Sequence, residues 1–253
     1  MSKPTALVTG ASRGLGRAIA LAFAEAEFRV ALVARSEAGL RETQAQVEAV
    51  GGEARIFAAD VSDADRVDAL ADEVARWVDG LDVLVNNAGV IEPLGPFADV
   101  PFDAWATSLR VNLEGTARVT HALLPLLRAK PRSSIITISS GAAVGDIAGW
   151  SAYCTAKAAL DRFACVLDAE LEEAGVRSFS FAPGTIETEM QQASRPTGAG
   201  PARLVSGEVE HLPAEVPAKA IVFLSTPAAE PLAGRHIDIR YPEVREALGL
   251  PPL

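Results

Sequence analysis

Seven short apolar runs, separated by longer stretches of helical periodicity, recur along the 253-residue chain and restrict its possible folds more than any other feature. The runs are Ala6–Thr9, Arg29–Ala34, Arg55–Ala59, Leu81–Val85, Ser134–Ile138, Arg177–Ala182 and His236–Ile239. The predicted helices between them are Leu15–Ala26, Ala38–Val50, Ala64–Trp77, Phe102–Val111 continuing as Leu113–Arg128, Ala152–Ala174 and Ala214–Leu224. Several runs are apolar throughout, as a parallel strand covered by helices on both faces requires. The pattern therefore predicts an α/β fold built on a doubly wound parallel sheet. No internal repeat and no low-complexity linker divides residues 1–253, which read as a single domain.

Composition removes other classes. The formal net charge is −10 and the sequence pI is near 4.9, which argues against nucleic acid or an anionic membrane as a partner. Hydrophobic residues make up 49% and charged residues 22%, and no apolar run reaches the roughly 18 residues of a membrane span. The opening Met1-Ser2-Lys3-Pro4 leads straight into a strand without the apolar stretch of a secretory leader, so a cytoplasmic location is expected. Cys154 and Cys165 lack metal spacing and read as buried thiols. His121, His211 and His236 are too scattered to suggest zinc, and no metal is expected.

Thr9-Gly10-Ala11-Ser12-Arg13-Gly14-Leu15-Gly16 lies between the first strand and the first helix. Glycines there let the backbone approach a pyrophosphate while helix N–H groups face its charge. The Gly-x-x-x-Gly-x-Gly spacing resembles the classical short-chain dehydrogenase/reductase family. Further segments in family order carry the resemblance to about residue 190: Asn86-Asn87-Ala88-Gly89, Arg110-Val111-Asn112, Ser139-Ser140, Tyr153-Cys154-Thr155-Ala156-Lys157 and Pro183-Gly184-Thr185-Ile186-Glu187-Thr188. The resemblance implies a Rossmann-type sheet and a nicotinamide cofactor held by Gly10, Ser12, Arg13, Gly14, Leu15, Gly16, Asp60, Val61, Asn87, Ala88, Gly89, Pro183, Gly184, Ile186 and Thr188, with Tyr153 and Lys157 at its ribose. The second strand ends in Ala34-Arg35, without the acidic side chain that would accept from an NAD ribose. Arg13 and Arg35 fall at the two places that surround that ribose, so NADP(H) is expected in preference to NAD(H). Locally, Asp60 before Ser62 also reads as a helix-starting residue.

Tyr153 and Lys157 are one helical turn apart, so the ammonium is expected to lower the phenol pKa. By resemblance the catalytic residues are Asn112, Ser140, Tyr153 and Lys157. Tyr153 would exchange a proton with the substrate oxygen, Ser140 would orient the carbonyl, and Lys157 would tune the tyrosine and hold the ribose. Asn112 would anchor a water leading from the lysine to solvent. The expected substrate is a small carbonyl or alcohol compound, and the expected activity NADP(H)-dependent reduction of a ketone or diketone. A catalytically silent nucleotide sensor or scaffold is the alternative, although such a protein has no need of Tyr153.

Val90–Pro96 leans toward the sepiapterin- and benzil-reductase-like branch of the family. Arg235–Arg240 departs from the Asp-Gly-Gly ending of many members, and Tyr241–Leu253 reads as a short tail. Leu113–Arg128 and Ala152–Ala174, rich in Ala and Leu, suggest a homo-oligomer, most simply a dimer. Residues 184–213 combine four glycines with three prolines and read as a substrate lid, or otherwise as a surface insertion.

Overall fold

All seven apolar runs become parallel strands of one sheet in the computed structural model, which describes residues 3–186 and 211–251. The strands are β1 (Thr5–Thr9), β2 (Arg29–Ala34), β3 (Glu53–Ala58), β4 (Val83–Asn86), β5 (Ser133–Ile138), β6 (Val176–Ala182) and β7 (His236–Asp238). Their order across the sheet is β3-β2-β1-β4-β5-β6-β7. The chain winds outward from β1 to β3, then returns to the other side of β1 and winds outward again. Between β1 and β4 the order reverses, and open α/β sheets bind ligands at such a point, beyond the strand C-termini.

Helices α1 (Gly14–Glu25), α2 (Glu37–Ala49), α3 (Ala64–Ala75), α4 (Phe102–Leu109), α5 (Gly115–Arg128), α6 (Ser151–Leu171), α7 (Glu215–Leu224) and α8 (Pro242–Ala247) are the α-helices among the described residues. One core joins Ile19 and Phe23 of α1 to Phe179, Phe181 and Ile221. The other joins Leu7 and Leu84 to Leu70 and Val74 of α3 and Leu123 and Leu127 of α5. Central β1, β4 and β5 are buried at every position, which accounts for the apolar stretches Ala6–Val8, Val83–Val85 and Ile135–Ile136, whereas edge strand β3 alternates between exposed and covered residues.

Three features differ from the sequence expectation. The stretch from Phe102 to Arg128 is interrupted at Arg110–Glu114 by a π-helical turn, which holds one residue more than an α turn. Tyr241–Leu253 is more than a tail, since Pro242 starts α8 and Val244 is fully buried. Both cysteines are free thiols but half-buried rather than buried. Among the described residues no helix is long and apolar enough to cross a membrane.

Candidate functional site

A cavity of about 1130 Å³ opens at the C-terminal ends of the central strands. Its floor is the turn from β1 into α1. Gly10 and Gly14 have φ of +66° and +54°, a region that favours glycine. At Gly16 an added Cβ would lie 2.1 Å from the Gly10 carbonyl oxygen and 2.6 Å from Asn87 Nδ2, so only hydrogen fits. Arg13 precedes α1 in an extended conformation and supplies no side-chain cap, and the first turn carries no acidic residue. The first N–H groups of α1 and their dipole are thereby directed at the cavity, as a phosphate site needs. α2 and α3, in contrast, begin on side-chain caps from Ser36 and Asp63.

Thr9 joins the two strands at the order reversal. Its hydroxyl donates to the Val85 carbonyl at 3.2 Å and accepts from the N–H groups of Asn87 at 2.9 Å and Ala88 at 3.0 Å. Asn87 Nδ2 donates to the Thr9 carbonyl at 2.9 Å. On the α2 side, the Thr43 hydroxyl donates to the Ala11 carbonyl at 2.9 Å and Arg17 donates to the Ser12 carbonyl at 2.6 Å, so the turn is held from both flanks. Arg13 and Arg35 line the cavity together, with Arg35 Nη1 3.8 Å from Asp60 Oδ2. Asp60 does not cap α3, since its Oδ1 accepts from the Ser62 N–H and hydroxyl and the cap is Asp63.

The opposite end of the cavity carries Ser140, Tyr153 and Lys157. Ser140 stands where β5 gives way to a 3₁₀ turn, and its Oγ accepts from the Ala142 N–H at 3.2 Å. Tyr153 and Lys157 share one face of α6, with Lys157 Nζ 5.5 Å from the tyrosine ring centroid. Lys157 Nζ also donates to the Ile138 carbonyl at 2.6 Å. Burial pushes the Tyr153 phenol up to about 12, against the lowering effect of its hydrogen bond with Ser140. Burial likewise brings Lys157 down to about 8, with the Asp161 carboxylate opposing. The expectation that the lysine sets a lowered tyrosine pKa is therefore not met within the chain itself, because loss of phenolate hydration outweighs the lowering hydrogen bond from Ser140. Tyr153 is held as a neutral phenol with a proton to give. Beside it Ile91, Ala142 and Trp150, with Leu94, Ile147 and Cys154, form an apolar patch, and the Trp150 ring meets Tyr153 edge-on at 5.9 Å.

Asn112 sits behind this wall rather than on it. Its Oδ1 accepts from the Val90 N–H at 2.9 Å, and its Nδ2 donates to the Val90 carbonyl at 2.8 Å and to Ser108 Oγ at 3.2 Å. Both amide hydrogens are committed, so its side chain clamps the strand exit after β4 instead of offering a donor to water. Gly89 makes room for this clamp, since a Cβ there would lie 2.7 Å from Asn112 Oδ1.

The cavity wall brings together Gly10, Ser12, Arg13, Gly14, Leu15, Gly16, Arg35, Asp60, Val61, Asn87, Ala88, Gly89, Ser140, Tyr153, Lys157, Pro183, Gly184 and Ile186. Thr188 and residues 187–210 of the expected lid lie outside the described residues. The sequence reading missed Ser36 and Gly39, which also line the cavity at the start of α2, although Ser36 before Glu37 carried a helix-cap signal. The glycine cradle, the exposed helix start and the cavity dimensions fit a nicotinamide dinucleotide.

The geometry is that of a doubly wound, nucleotide-dependent oxidoreductase. Residues 4–199 match the family described as short chain dehydrogenase, and the chain belongs to the short-chain dehydrogenase/reductase family. A short chain dehydrogenase of Pseudocercospora fijiensis is 34% identical over 245 residues, covering 92% of this chain and 79% of the relative. Benzil reductase ((S)-benzoin forming) of Saccharomyces cerevisiae is 33% identical over 230 residues, covering 88% and 86%. The probable oxidoreductase EphD of Mycobacterium tuberculosis is 39% identical over 184 residues, but the match spans only 31% of that longer protein. Among solved structures, NAD+-bound xylitol dehydrogenase superposes with a TM-score of 0.87 at 25% identity, covering 93% of this chain and 97% of the other. A variant of actinorhodin polyketide ketoreductase with NADPH gives 0.85 at 26%, covering 94% and 95%.

Proposed function

We propose that this protein is an NADP(H)-dependent carbonyl reductase acting on uncharged ketones or diketones, reversible as an alcohol dehydrogenase. The observation that carries the reading is the buried, protonated Tyr153, bonded to Ser140 and set against an apolar patch on the cavity wall. When bound, the nicotinamide supplies the hydride in reduction and accepts one in the reverse direction. Ser140 donates to the substrate oxygen and orients the carbonyl, and Tyr153 Oη delivers the proton as negative charge develops there. Lys157 holds positive charge at the base of the site, between the Ile138 carbonyl and the tyrosine ring. The apolar surface that Ile91 and Trp150 present to the cavity, backed by Leu94 and Ile147, excludes water and favours apolar substituents.

For the cofactor, Arg13 and Arg35 border the end of β2, where no carboxylate of that strand competes, and two guanidinium groups suit a 2′-phosphate. A silent sensor needs the glycine cradle but gains nothing from burying a phenol beside Ser140. Dimerisation through α5 and α6 and a lid at 184–213 belong to the same proposal, as does a cytoplasmic location. The experiment is NADPH consumption with benzil, simple ketones and quinones, for the wild type and Tyr153→Phe. The variant should lose at least about 100-fold in kcat, the lower range for a general acid, and bind NADPH within a few-fold of the wild type. A variant that reduces carbonyls at the normal rate refutes the assignment of Tyr153.

A further inference from the structure

The sheet face beneath α6 carries a largely buried polar row across β5, β6 and β7. Thr137 of β5 pairs in register with Ser180 of β6, which pairs with His236 of β7, so the three stand side by side across the strands. Asp161 reaches down onto this row from α6. The Ser180 hydroxyl donates to Asp161 Oδ1, and His236 Nδ1 lies 2.7 Å from Asp161 Oδ2. Neither Asp161 nor His236 lines the cavity, and the mechanism above uses neither. Yet Asp161 follows Lys157 by one helical turn on the same face, and its carboxylate acts on that ammonium.

We propose that Asp161 is a positioning residue that keeps Lys157 protonated from behind the site, with His236 as the counter-charge that allows a carboxylate to stay ionised there. An isolated buried ammonium sheds its proton, whereas one with a carboxylate a turn away retains it to higher pH. An isolated buried carboxylate would itself take up a proton, and the imidazole and serine donors hold it ionised. The charged surroundings are few. On α6 they are Lys157 itself and the Cys165 thiol; β5 with the residue after it and strand β6 contribute the neutral Thr137, Ser139 and Ser180, of which Ser139 and Ser180, as donors, favour the ionised Asp161 carboxylate. From β7 come His236 and Asp238, the latter paired with Arg240 at 2.7 Å. Asp103, Arg110 and Glu114 lie on α4 and the π-turn, and Glu114 is bonded to Arg118. The effect on turnover rests on the proposed role of Lys157; the charge coupling belongs to the folded chain and is measurable without substrate.

The chain has four lysines, Lys3, Lys130, Lys157 and Lys219, so side-chain 13C-labelled lysine gives few NMR signals, and Lys157→Met identifies the one of interest. In the wild type the Lys157 signal should titrate near pH 8. In Asp161→Asn/His236→Gln, which replaces the ionic pair by two amides and strands no imidazole, the midpoint should fall by at least about half a pH unit, a threefold loss of proton affinity. Asp161→Asn alone should also lower the His236 imidazole midpoint. An unchanged Lys157 midpoint in the folded double variant overturns the proposal. The pH profile of carbonyl reduction gives the second arm: the alkaline limb of kcat should move down in the double variant while the rate at pH 6.5 stays within about threefold. A limb that stays in place while the NMR midpoint falls overturns the link to turnover. A wild type that reduces no carbonyl refutes the proposed function and leaves the titration to decide the coupling.

Discussion

Lys157→Met gives a direct test of how the interior treats the site's ammonium. Lys157 is 5% exposed, and burial takes its pKa from 10.5 to about 8. Below pH 8 the folded and unfolded chains both carry the proton, and the full penalty of burying the charge is present. Between about 8 and 10.5 the unfolded chain keeps a proton that the folded chain has released, so the contribution of Lys157 to stability rises with pH. At about 1.4 kcal/mol per unit, the shift corresponds to about 3 kcal/mol recovered across that window. Tyr153 acts in the opposite sense. Its folded pKa of about 12 lies above the free value of 10, so its contribution is lost as pH rises past 10. Methionine fills a similar volume without ionising, so the difference in unfolding free energy between wild type and Lys157→Met isolates the lysine while the tyrosine and other surface titrations cancel. Urea unfolding of both proteins at half-unit steps from pH 7 to 10.5 should show the wild type gaining about 3 kcal/mol on the variant. A difference that stays constant within 1 kcal/mol would mean that Lys157 is not a buried ammonium with a depressed pKa, and the charge assignment at the base of the site would fail.

Asn112→Ala removes three hydrogen bonds and leaves the Val90 N–H and carbonyl without those partners. We expect a loss of about 2–4 kcal/mol in urea unfolding, together with weaker NADPH binding by fluorescence titration, because Val90 lines the cavity. Arg35→Asp combined with Arg13→Ala should reduce NADPH affinity at least about tenfold relative to NADH, and the wild-type preference should shrink as salt rises. Equal discrimination in the double variant and the wild type would remove both arginines from cofactor choice.

The strands were legible because a parallel strand covered on both faces carries runs of apolar residues, as Ala6–Val8 of β1 and Val83–Val85 of β4 do, and even β5, with two serines and a threonine, keeps three isoleucines. The glycine turn was legible because a positive φ at Gly10 and the contact at Gly16 leave so few alternatives. The π-turn was not, since Arg110-Val111-Asn112-Leu113 has ordinary helical composition and the turn involves the Asn112 clamp on Val90, far off in sequence. Tyr153 shows a similar limit. Its spacing from Lys157 is visible in the chain, but the burial that dominates its pKa comes from Trp150, Ile91 and the strand ends assembled around it. The Asp161–His236 contact joins residues 75 positions apart and has no local signature. Helix α8 did leave a trace, a proline after Tyr241, but six residues are too few for a period to emerge.

The turn at Arg110–Glu114 acts as slack between two helices, taking up one extra residue in a single wide turn. On one side of it Trp105 Nε1 of α4 donates to Ser151 Oγ at 3.1 Å, and on the other α5 presents Val119, Leu123 and Leu127 to the sheet. Deleting one residue there lets an ordinary helical turn close with both flanking faces kept in place, whereas a deletion in the regular part of α5 turns the residues beyond it by about 100°. A one-residue change of length is thus absorbed more easily in this five-residue stretch than in the helices beside it, and what it puts at risk is the Asn112 clamp on Val90.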